Sequence, residues 1–195
     1  FNIVDWGSKQ PLSENLKILK NFTDSVNFFY IDKDTADKHS ALYPNKYNLD
    51  IPQNIGLRVS KGEFIIQATS DQIFSRVGWY NLLNILKNKD KFNFDLDKTI
   101  VYVPRKNIEY DFYKKNPSIE TLEEFLDYSN SSYMRLKNSN FFIGGGYSLL
   151  CKRKILEEVG GINSEKNRAG TANDWDLNIR LKKLGIKQID SSIFG

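Results

Sequence analysis

Short apolar runs of strand length alternate along this chain with apolar stripes of helical period, and no other feature restricts the fold as much. Successive strands joined by helices run parallel, because the crossover helix returns the chain to the same end of the sheet. Such a sheet is then covered on both faces. The period predicts strands over 1–6, 26–31, 63–69, 99–103, 141–151 and 187–189. Helices are expected over 12–22, from Pro52 through Ile55 to Lys61, over 121–128 with Thr121 and Glu124 in capping-box spacing, and over 153–159. Two further helices are read from their stripes, Trp79, Leu82, Leu83 and Leu86 in one and Leu177, Leu181 and Leu184 in the other. Gly62, the Gly160-Gly161 pair and Gly185 are the expected helix stops. The segment 32–49 is polar and contains Pro44, so it reads as a loop with one helical turn. No repeat or low-complexity linker divides the chain, and 195 residues suit one α/β domain.

Composition removes several classes. With 40% hydrophobic, 13% aromatic and 27% charged residues, the chain carries enough apolar surface for a packed core. Its net charge of +4 is scattered among acids and makes no clustered nucleic-acid footprint, although a mild positive balance suits an anionic small substrate. Cys151 has no second cysteine to pair with, which points to a reducing, cytoplasmic setting and an inert buried thiol. No run reaches the roughly 18 apolar residues of a membrane span. The longest candidate, 141–151, is broken by Gly144, Gly145 and Gly146.

Three stretches put polar side chains beyond a strand's carboxyl end or at a helix start, where open α/β sheets bind ligands. In Val4-Asp5-Trp6-Gly7-Ser8 a strand delivers a carboxylate into a turn, which either meets a ligand or closes the turn through its own side chain. From Asn54 to Asp71 a polar helix face leads into an apolar strand that ends on a carboxylate. Asp71 can hold Mg²⁺ or Mn²⁺ across two phosphates, and Arg58 can offer its donor fork to phosphate or base. The competing readings are a turn cap for Asp71 and a solvated helix charge for Arg58. Third, Gly170-Thr171-Ala172-Asn173-Asp174 enters the last helix. The macrodipole accounts for one acid there, while the glycine strand upstream lets a ligand approach the backbone. Asp174 is placed to take a proton from an acceptor hydroxyl. The single histidine, His39, lies in the polar segment without a partner pattern, which favours a solvated or donor-loop role over catalysis.

The order of these motifs resembles the family-2 type of GT-A glycosyltransferase across nearly the whole chain. Its elements are Val4-Asp5-x-Gly7-Ser8, Asn54-x-Gly56, Gly62-Glu63-Phe64-Ile65, Asp71, the glycine strand, Val159-Gly160-Gly161-Ile162 and Asn173-Asp174. The resemblance implies a Rossmann-like three-layer α/β/α sandwich around a central, mostly parallel mixed sheet. It implies transfer of a sugar from a nucleoside-diphosphate donor, with UDP the expected carrier, to the hydroxyl of a glycan or other acceptor, with inversion. Donor binding then falls to Asp5, Arg58, Ser70, Asp71, Gly145 and Gly146, a Mn²⁺ or Mg²⁺ ion to Asp71, and the catalytic base to Asp174. Thr69 stands where the family's metal motif has its first acid, and Asn173 where its late motif has Glu. The family also carries a strand and helix before the Asp-x-Gly-Ser turn, so such elements, and further domains, are expected in a longer chain. A cytoplasmic location, free or peripheral at a membrane, would suit this chemistry. A sugar nucleotidyltransferase is a second reading, although the Gly-rich basic loop that grips a triphosphate is absent from the sequence. A non-catalytic nucleotide-sugar-binding domain is a third.

Overall fold

Asp32 shows how local chemistry builds this protein where apolar pattern is silent. Its carboxylate accepts hydrogen bonds from the Thr35 backbone N–H at 2.9 Å and the Thr35 hydroxyl at 2.7 Å, and those bonds hold its pKa below the usual carboxylate value. The cap starts an α-helix over Lys33–Ser40 in a segment read as loop. Lys33 pairs with Asp37 one turn on, and Lys38 and His39 sit in the last turn, where cations suit the helix dipole. Among its residues only Ala36 is buried, so caps and charges hold this helix without an apolar stripe, and the pattern gave no sign of it.

The computed structural model describes residues 1–16, 25–42, 50–70, 72, 74, 76–88, 90, 95–103, 110–128, 148–164 and 172–190; the side chains of 77, 123, 125–128, 172–175 and 190 are outside that description. In chain order the elements are β1 (Asn2–Trp6), α1 (Leu12–Asn15), β2 (Asn27–Ile31), α2 (Lys33–Ser40), α3 (Asp50–Val59), β3 (Phe64–Gln67) and α4 (Arg76–Lys87). There follow a 3-10 turn (Leu96–Lys98), β4 (Thr99–Val103), α5 (Tyr110–Tyr113), α6 (Ile119–Tyr128), β5 (Ser148–Lys152), α7 (Arg153–Glu158), α8 (Ala172–Lys183) and β6 (Lys187–Asp190). The protein is mixed α/β, with the described strands in two sheets.

The chain folds as two units, 1–65 with 153–181 and 66–152 with 182–195. In the first, β1 and β2 pair in parallel from Asn2 opposite Asn27 to Trp6 opposite Ile31, and α3 packs on β1. Gly56 faces β1, and a Cβ there would meet Val4 Cγ2 at 3.6 Å, an ordinary contact distance. Pro52 falls in the first turn of α3, where a missing N–H removes a donor that has no helical partner. In the second unit β4 is central, antiparallel to β5 and parallel to β6, within the order β3-β5-β4-β6. Ile100 and Val101 are fully buried, as befits a strand covered on both faces.

Several expected boundaries shift for physical reasons. The first helix stops at Asn15, because Leu16 has left the helical region (φ −83°, ψ 63°); residues 17–24 lie outside the described ones. Among the described side chains of α4 the buried ones are Leu82 and Ile85, while Leu83 is exposed, so the inward face is rotated from the expected stripe. The cap of α6 is Ser118, whose hydroxyl accepts from the Thr121 N–H at 3.2 Å, rather than Thr121 itself. Leu184 lies beyond the end of α8 and is exposed, whereas Leu177 and Leu181 are buried as expected. Among the described residues no helix is long and apolar enough to cross a membrane.

Cys151 lies in β5 with 1% of its surface exposed, and burial pushes its thiol up to about 12. The reactive thiolate is therefore scarce and shielded at neutral pH. A thiol-reactive chromophore at pH 7.5 should label the native chain slowly and the chain in 6 M guanidinium at once, and equal rates would contradict this burial.

Candidate functional site

Gly7 ends β1 and carries the ladder one step further, donating its N–H to the Ile31 carbonyl at 3.0 Å. It does so with φ +77°, and a Cβ there would lie 2.7 Å from the Ala36 Cβ, so α2 can approach only a glycine. Just before it, Asp5 is buried, 3% exposed, and its carboxylate accepts the Leu12 N–H at 2.8 Å. That contact satisfies a donor of the first turn of α1, the turn-closing use of an acid in this position. The Tyr30 hydroxyl donates to the Ser8 carbonyl at 3.2 Å, which fixes the far side of the same turn. His39 belongs to α2 rather than to a loop, exposed, with its ring centroid 6.2 Å from that of Trp6.

Two motifs that are 108 residues apart meet at Asn54. Its side-chain N–H donates to the Ile162 carbonyl at 2.7 Å, and its side-chain oxygen accepts the Ile162 N–H at 2.8 Å. The carboxamide thus pairs with one residue's backbone as a neighbouring strand would. Gly160 and Gly161 reverse the chain after α7 at φ +75° and +72°, and a Cβ on Gly161 would stand 2.4 Å from the Asn54 oxygen. The turn is held from a second side by Arg180 of α8, which donates to the Val159 carbonyl and, at 2.8 Å, to Asp176. Through Arg180 the turn also fixes the helix whose first turn contains Asp174. The Asp174 side chain lies outside the described residues. Arg58 ends α3 with its side chain exposed and without a hydrogen bond or ion pair to any described residue, which leaves its donor fork open to an anion.

In the second unit the candidate surface is the turn that leaves β3. The Gln72 N–H donates to the Thr69 carbonyl at 3.3 Å, and the Gln72 side-chain oxygen accepts the Thr69 N–H at 3.1 Å. The same oxygen accepts the hydroxyl of Ser148 at 2.6 Å, and Ser148 opens β5 opposite Val103, the last residue of β4. The turn therefore stands by the carboxyl end of the central strand, the side on which open sheets bind ligands. Ser70 is exposed on it. Asp71, Gly145 and Gly146 lie outside the described residues, and among those described no three His, Cys, Asp or Glu side chains group as a metal cage.

Sequence reasoning passed over Gln72, Arg180 and Tyr30. Arg180 left a trace in its i, i+4 spacing from Asp176, whereas Gln72 and Tyr30 act through contacts that no local pattern announces. No protein-family model matches the chain, and no curated protein matches it significantly.

Replacing Asn54 by Ala should lower unfolding free energy by about 2–4 kcal/mol, because a buried donor and acceptor of Ile162 lose their partner. Gly161→Ala should be similarly damaging alone. In urea denaturation the double variant should cost less than the sum of the singles, since removing the Asn54 amide removes the clash; strict additivity would contradict the contact.

Proposed function

We propose that the chain is the donor-binding and catalytic part of a GT-A-type glycosyltransferase, moving a sugar from a nucleoside diphosphate, UDP foremost, to an acceptor hydroxyl with inversion. The observation that carries this reading is where the motifs of the resemblance stand. Asp5 lies near the end of β1 with Gly7 and Ser8 just beyond it, the Thr69–Gln72 turn comes after β3, and the Asn54 motif grips the Val159–Ile162 turn on which the Asp174 helix is fastened.

In the proposed reaction Asp174 takes the proton of the acceptor hydroxyl. The freed oxygen attacks the anomeric carbon from the face opposite the diphosphate, the bond to the diphosphate oxygen breaks, and the configuration inverts. Asp174 is the third residue of α8, in a first helical turn, a position where acids are common. Arg58 offers donors to the departing diphosphate. Thr69, Ser70 and Asp71 carry only hard oxygen atoms in their side chains, the ligand type Mg²⁺ and Mn²⁺ prefer. Such an ion at Asp71 would supply charge neutralisation to the leaving group.

An Asp174→Asn variant should keep its affinity for the donor and lose transfer by about 10²–10⁴-fold. Full activity would remove Asp174 from the role. Incubation of the unaltered chain with nucleotide-sugars and Mn²⁺, read by nucleotide release, tests the class. Pyrophosphate exchange would indicate nucleotidyl transfer instead, and binding without turnover a non-catalytic domain.

A further inference from the structure

We propose that Gln72 is a positioning residue for the nucleoside diphosphate, setting the Thr69–Gln72 turn in its binding form before the ligand arrives; this rests on the transferase reading. The turn begins at Thr69, two residues past the end of β3 at Gln67. Gln72 closes it twice, with its backbone N–H on the Thr69 carbonyl at 3.3 Å and its side-chain oxygen on the Thr69 N–H at 3.1 Å. It then anchors the closed turn, because the same oxygen takes the Ser148 hydroxyl at 2.6 Å. An amide oxygen has two lone pairs, and here each meets one donor.

Ser148 is 4% exposed and begins the strand that pairs with β4, so the anchor point belongs to the core of the sheet. A turn fixed to such a point has already lost the freedom that binding would otherwise have to remove, and affinity rises by that difference. Hydroxyls and backbone amides that meet a diphosphate or its cation need this support, because the groups behind a ligand shell orient the shell. Gln72 touches no reacting atom in this scheme; it acts through the turn.

The test is a thermal-shift titration of the folded chain with UDP and, in parallel, GDP, each with Mn²⁺. Unaltered protein is compared with Gln72→Met, Ser148→Ala, Ser148→Thr and the Gln72→Met/Ser148→Ala double variant. Gln72→Met and Ser148→Ala should each raise the nucleotide concentration for half the shift by about tenfold. The double variant should be no worse than the weaker-binding single, and Ser148→Thr, which keeps a hydroxyl, should bind as the unaltered chain does. A purely structural Gln72 would lower the ligand-free melting temperature and leave the half-saturating concentration where it was, and that result overturns the proposal. So does a shift for Gln72→Met with none for Ser148→Ala. If Gln72→Met does not fold, the two Ser148 variants decide. An unaltered chain that gains no stability from either nucleotide overturns the transferase reading, and this proposal with it. Binding by the unaltered chain with unchanged variants overturns this proposal alone.

Discussion

The first unit depends on one pairing, the carboxamide of Asn54 against the backbone of Ile162. It satisfies the N–H and the carbonyl of the buried Ile162, where leaving either unpaired would cost more than an average hydrogen bond returns. The pairing requires Gly161, since any side chain there would occupy the space of the Asn54 oxygen. It also fixes where α7 ends and how the chain turns toward α8. Arg180 repeats the device from the other side on the Val159 carbonyl. A glycine pair, an asparagine and an arginine from three parts of the chain thus make one joint.

The second unit is organised by burial instead. Four of the five residues of β4 are buried, and the buried run continues through Ser148, Leu149, Leu150 and Cys151 of β5. Polar groups at the border of that core are settled individually. Lys152 meets Asp97 at 2.7 Å, and the Ser148 hydroxyl is spent on Gln72. The second of these gives the core a hold on the turn after β3. The turn is tied to the sheet by one buried hydroxyl that has a partner.

Part of the turn chemistry could be read from residue types, and the limits of that reading are physical. Asp5, Gly7, Asn54 and Gly161 stand out because few residues can do what their positions demand: a positive φ, a close approach, a pairing with backbone. The motif series named both Asn54 and the Val159–Ile162 turn but could not join them, as nothing in local spacing encodes a contact across 108 residues. Asp5 invited two readings, and its buried contact with the Leu12 N–H belongs to the turn-closing one. Gln72 carried no signal, because glutamine after a strand is ordinary and its second partner, Ser148 of β5, is 76 residues away along the chain.

The sequence by itself determined that the chain is mixed α/β, since apolar period reports which side of a strand or helix is hidden from water. It also determined the helix stops at Gly160-Gly161 and Gly185, where a left-handed backbone calls for glycine. It did not determine α2, whose stability lies in a cap and charges rather than in an apolar face. Only the tertiary structure decided which face of α4 turns inward, how the strands divide between two sheets, and which polar side chains are spent on holding turns in place. Those choices rest on packing and on hydrogen bonds between distant residues, and such energies exist only once the chain has brought the partners together.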